Sequence, residues 1–105
     1  MATKKLPTKV DPSWTFLSNH AHALVCVAKN PDVRLSEVAE LVGIRERTVH
    51  RIVHELIDAG YISVKRVGRN NVYSVDLEKP LRHPLEAEHN IQAIVAPLLR
   101  KAKRS

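Results

Sequence analysis

GIRERTVHRIVHELIDAGYI, residues Gly43 to Ile62, decides how this 105-residue chain is to be read. Val49, Ile52, Val53, Leu56 and Ile57 recur at i, i+3, i+4, i+7 and i+8, the spacing of one buried helix stripe. Between Arg45 and His54 the same segment carries five basic or imidazole side chains. Arg45, Glu46, Arg47, Thr48, His50, Arg51 and His54 fall on the side away from the apolar stripe. Gly43 and Gly60 bracket the segment, and each can take the left-handed conformation that ends a helix. The expectation is a helix from about Glu46 to Ala59 with one apolar and one basic face.

On the N-terminal side, RLSEVAELV predicts a short strand at Arg34-Leu35. A short helix follows, capped by Ser36, with Val38, Ala39 and Val42 inward. Helix, glycine-containing turn and helix together form the helix-turn-helix pattern. Further upstream, Ser13 predicts the cap of a helix running to about Ala28 and stopped by Asn30-Pro31-Asp32. On a helical wheel, Trp14, Leu17, Ala21, Leu24, Val25 and Ala28 share one sector. Phe16, His20, Ala23 and Val27 share a second. Two apolar sectors imply a core face and a partner face.

On the C-terminal side, YISVKRV and VYSV alternate as strands, and GRNN between them predicts a turn. The hairpin carries Arg66 and Arg69 toward its tip, with Asn70 and Asn71. DLEKPLRHP connects to a last helix starting at Pro84, with Ala87, Ile91, Ile94, Val95, Leu98 and Leu99 on one face. Pro97 is expected to kink that helix near Ala93–Ala96.

Net charge is +6 and the sequence pI is about 9.8, which favours an anionic partner. The charge is concentrated at about +2 in residues 1–13, about +3 in 43–70 and about +4 in 100–105. A single cysteine, Cys26, excludes an internal disulfide and fits a reducing cytoplasm. No run approaches the roughly 18 apolar residues of a membrane span, and MATKKLPTKVDP lacks the apolar centre of a signal peptide. Glycine-rich phosphate loops, nucleophile elbows and paired carboxylates do not stand out, so an enzyme is not expected. His50 and His54 have zinc spacing, but the neighbouring arginines repel a cation. His22 and Cys26 supply two ligands, too few for a metal site. No cofactor is expected, and nothing identifies an effector.

The order helix, helix-turn-helix, two-stranded wing, helix resembles the winged-helix pattern. RLSEVAELVGIRERTVHRIVHELIDAGYISVKRVGRNNVYSV is similar to the core of bacterial and archaeal winged-helix transcription regulators. These include the multiple-antibiotic-resistance-regulator and arsenical-resistance-repressor types. The resemblance covers about residues 13–76. It departs at Arg45, where Ser or Thr commonly caps the recognition helix, and this favours a phosphate contact by Arg45.

The resemblance implies an α+β, mostly α fold: a winged helix-turn-helix with a two-stranded wing and a C-terminal dimerisation helix. The expected division is a flexible basic arm at 1–12, the DNA-binding domain at 13–80, and the dimerisation helix with a basic tail at 81–105. It also implies a homodimeric regulator of double-stranded DNA, located in the cytoplasm at the nucleoid. The second helix would enter the major groove with Arg47, Thr48 and Glu46 near base edges. Arg45, Arg51 and His54 would hold phosphates, and His50 on the same face is a further expected DNA contact. The wing, with Arg66, Arg69, Asn70 and Asn71, would reach the backbone or the minor groove. The expected dimer surface is Trp14, Phe16, Leu17, His20, Ile91, Ile94, Val95, Leu98 and Leu99. Two other functions fit the same residues: a protein-interaction adaptor, and a non-specific chromatin or RNA binder driven by charge.

Overall fold

The computed structural model describes residues 13–100; the expected basic arm (1–12) and the tail beyond residue 100 lie outside them. Among the described residues, four helices and one antiparallel hairpin follow in chain order. They are α1 (Asn19–Lys29), α2 (Leu35–Val42), α3 (Glu46–Asp58), β1 (Ile62–Val67), β2 (Asn70–Val75) and α4 (Ile91–Leu99). The fold is α+β, a winged helix with a further C-terminal helix.

α1 begins at Asn19, five residues after the expected start at Trp14. The cap is Ser18, whose Oγ accepts the Ala21 N–H at 3.2 Å; Ser13 does not cap it. The chain before it is tied locally, with Thr15 Oγ1 donating to the Leu17 carbonyl at 2.6 Å. Trp14 and Phe16 stack edge to face there, ring centres 4.9 Å apart. With helix geometry confined to residues 19–29, the two predicted sectors no longer apply. Ala23, Leu24 and Val27 straddle them and form a single buried face.

That face meets Val38, Ala39 and Val42 of α2, Val49, Ile52, Val53 and Leu56 of α3, and Tyr61, Ile62 and Tyr73 at the base of the hairpin. These side chains shut one another from water, which is the main stabilising term for a domain this small. α4 packs on α1 and closes the core with Ile91 and Val95.

Arg34-Leu35 is not a strand. Arg34 is the N-cap of α2, two residues earlier than the Ser36 cap expected, and its backbone N–H donates to Glu37 Oε1 at 3.2 Å. Committing Arg34 to the helix start removes it from any ladder. The loop reaches the hairpin at Pro31 instead, whose carbonyl accepts the Tyr73 N–H at 2.8 Å.

The hairpin turn is shorter than GRNN. Val67 pairs with Asn70 and Arg66 with Asn71, so Gly68-Arg69 alone makes the turn. Gly68 has φ 62, which suits a two-residue hairpin loop with glycine first, since a side chain there is strained.

The last helix begins at Ile91, not after Pro84. Asn90 caps it by accepting the Ala93 N–H at 3.2 Å. An isolated bridge between Pro80 and Asn90 holds the preceding segment as a closed loop. In it Leu81 N–H donates to the His89 carbonyl at 2.9 Å, and Ile91 N–H to the Lys79 carbonyl at 3.0 Å. Residues 84–89 are spent on that loop, so Ala87 leaves the helical face. Pro97 lies inside α4, two residues from its end. Lacking an N–H, it leaves the Ala93 carbonyl without its helical donor.

Candidate nucleic-acid interface

The orientation of α3 follows from its apolar stripe. Val49, Ile52, Val53 and Leu56 are buried, which rolls the opposite side outward. Gly43, at φ 87, ends α2 with its N–H on the Ala39 carbonyl at 2.8 Å; Ile44 donates to the same carbonyl at 3.1 Å. Half-buried Ile44 then packs against the core and sets the angle at which α3 departs.

As a result Arg45, Glu46, Arg47, His50, Arg51 and His54 are all exposed on one helix, and Thr48 is half-buried among them. Arg45 is the N-cap, in extended geometry and with no side-chain cap bond, as its chemistry predicts. Glu46 in the first turn complements the positive end of the helix dipole.

Three of these groups have partners. His50 Nε2 lies 3.3 Å from Glu46 Oε2, one turn away. Arg51 Nη1 donates to Glu55 Oε2 at 3.2 Å, and Glu55 Oε1 lies 2.7 Å from His20 Nε2 on α1. The Glu55 carboxyl is held below its ordinary range, first by the His20 hydrogen bond, which desolvation partly opposes, and then by Arg51. Arg45, Arg47 and His54 form no ion pair among the described residues.

The hairpin stands beside this helix. Arg69, Asn70 and Asn71 face Glu46 and His50 across a cleft of about 460 Å³. Arg66 turns toward the tip, its Nε donating to the Gly68 carbonyl at 3.4 Å. The register explains the placement: Arg66 and Asn71 lie opposite one another, two steps along from the Val64–Tyr73 pair. Tyr73 is buried, and side chains two apart on a strand share a face, so Asn71 points to the same side as Tyr73.

Arg34 and Ser36 line the same cleft and are not among the expected DNA-contacting residues; the sequence points to them only as strand and cap. Their place depends on the Tyr73–Pro31 bond, which brings the start of α2 against β2; no periodicity within residues 31–36 reports it. Lys65 is also exposed on β1 and adds to the charge of the wing.

The expected partner surface divides. Ile91 and Val95 are 4% and 1% exposed and belong to the chain's own core, so they offer no surface to a second molecule. His20 is engaged by Glu55 within the chain. Phe16 is 91% exposed and Trp14 64%, while Leu98 and Leu99 are about two-fifths exposed. Leu17 and Ile94 are half-buried between them.

His50 is paired with Glu46 rather than with His54. Among the described residues, no three His, Cys, Asp or Glu side chains come together as a metal site. Cys26 is half-buried; burial pushes its thiol up, with Lys29 acting in the opposite direction. Among the same residues no helix is long and apolar enough to cross a membrane.

Residues 23–63 match the family described as winged helix-turn-helix DNA-binding. The matched span runs from the buried face of α1 through α2, the Gly43 turn and α3 to the first residues of β1. It therefore contains the whole exposed face of α3 and supports DNA binding by this segment. No curated protein matches the chain.

Proposed function

We propose that this chain is a homodimeric transcription regulator that binds double-stranded DNA with sequence preference. The observation that carries the reading is the shared exposure of the α3 basic face and the wing tip on a fold whose matched segment is a DNA-binding motif. A helix suits the major groove, and its N-terminal residues reach base edges. Arg47 and Thr48 then read bases, with Glu46 available to a cytosine amine. Arg45, Arg51 and His54 grip phosphates, and Arg66, Arg69, Asn70 and Asn71 meet the adjacent backbone or minor groove. Arg34, at the mouth of the cleft, joins the phosphate contacts.

The dimer part of the reading rests on Trp14, Phe16, Leu98 and Leu99, whose exposure is large for a small domain. A two-fold pairing through them places two α3 helices about 34 Å apart on successive major grooves. On this reading the protein works at the nucleoid of a prokaryotic cell. It is of the multiple-antibiotic-resistance or arsenical-resistance type that its sequence resembles.

A salt titration with a selected duplex and a random duplex tests the function. Sequence preference that persists at moderate salt is expected. Equal affinity for both duplexes identifies a non-specific binder, and no affinity for either identifies a protein-docking module. Sedimentation tests the pairing: a monomer at micromolar concentration with full affinity for one half-site overturns it.

A further inference from the structure

α3 has a second connection that DNA binding alone does not require. Glu55 lies one turn beyond Arg51, and its two oxygens go to different places. Oε2 accepts from Arg51 on the exposed face, at 3.2 Å. Oε1 faces His20 Nε2 on α1, at 2.7 Å. Arg51, Glu55 and His20 thus form a continuous chain from the basic face to a groove between α1, the end of α3 and the segment leading into α4.

The charge on this chain has two values. With a neutral imidazole, the Arg51 cation and the Glu55 carboxylate cancel. With a protonated imidazole, the carboxylate is shared between two cations and the trio carries one net positive charge. The other charged groups lining that groove beside His20 are Asp58 of α3, and Arg82 and Glu86 of the connector.

We propose that Glu55 is a positioning residue that restrains Arg51, and that protonation of His20 releases Arg51's charge to a DNA phosphate, so that DNA binding takes up a proton at His20. The inference rests on the DNA-binding reading given above. Its direction follows from linkage. A phosphate beside Arg51 stabilises the state with the extra positive charge, so affinity is highest at low pH and falls as pH rises through the histidine range. The lowered Glu55 carboxyl is consistent with this geometry, since His20 is its strongest partner.

His50 and His54 also lie on the basic face, so the test is differential. Affinity for one duplex is measured at fixed ionic strength from pH 8 to pH 6, for the unmodified chain, His20→Gln and His20→Lys, with folding checked by circular dichroism. Freeing the exposed Arg51 guanidinium from Glu55 to pair with one phosphate changes affinity by roughly 1.4- to 5-fold. The unmodified chain should gain that factor over His20→Gln between pH 8 and pH 6. His20→Lys should hold the higher affinity already at pH 8. In an Arg51→Ala background the His20→Gln difference should vanish.

Equal pH spans for the unmodified chain and His20→Gln overturn the proposal while leaving DNA binding intact. A His20 effect that survives Arg51→Ala shows that the ring does not act through Arg51, and also overturns it. Failure of the unmodified chain to bind any duplex at any pH overturns the DNA-binding reading itself.

Discussion

Replacing Arg69 with alanine isolates the contribution of the wing. Arg69 is the second residue of a two-residue turn, exposed, and free of any ion pair among the described residues. The positive φ that shapes the turn belongs to Gly68, not to Arg69, so alanine keeps the turn. The pairs from Val67–Asn70 to Ile62–Val75 and the buried Tyr73 stay in place, and the change removes charge without removing structure. Each phosphate neutralised contributes about −0.9 to the slope of log K against log salt. Losing one contact should flatten the slope by about 0.9. Between 50 and 200 mM salt the unmodified chain should then lose about 3.5-fold more affinity than the variant. Fluorescence anisotropy on a labelled duplex at four salt concentrations measures this directly. An unchanged slope refutes the phosphate contact, even if affinity falls, because the loss would then come from hairpin geometry.

Arg47→Ala should cut discrimination between selected and random duplexes by about 1–3 kcal/mol, seen as convergence of their dissociation constants; a uniform loss on both would assign Arg47 to phosphate. Ile52→Ala, at a fully buried position between α3 and the rest of the core, should cost about 2–5 kcal/mol of stability in urea unfolding. Gly43→Ala, at φ 87, should cost about 1 kcal/mol by the same measurement. The Glu55 carboxyl titrates lower in the folded chain than its ordinary value of 4.5. Its stabilising contribution is therefore complete above that value and is lost as pH falls through the folded value. The thermal midpoints of the unmodified chain and Glu55→Gln should differ at pH 7 and converge toward pH 3.

Much of the fold was legible because it is local. The α3 stripe, the α2 stripe and the two helix-ending glycines each need only neighbours within a few residues, and each appears where its spacing predicts. So does the exposure of Arg45, Arg47, His50, Arg51 and His54, since burying one side of a helix exposes the other. Errors fell where two local signals competed. Ser13 is the expected cap, but the cap is Ser18, and Trp14 and Phe16 stack on each other ahead of the helix. Pro84 and Asn90 are both plausible starts for α4. Asn90 won because residues 79–81 and 89–91 are joined by backbone bonds.

Sequence alone determined which residues face the core on α2 and α3, where the chain reverses, and that the basic side of α3 is free to meet a partner. These follow from helical period and from the conformational freedom of glycine, which act over a few residues. Tertiary structure alone decided that Arg34 and Ser36 share a cleft with Arg69, that Ile91 and Val95 are spent in the chain's own core, and that His20 meets Glu55. Each of these joins residues distant along the chain. Their contacts depend on how helices and hairpin pack, and no local pattern of side chains encodes that packing.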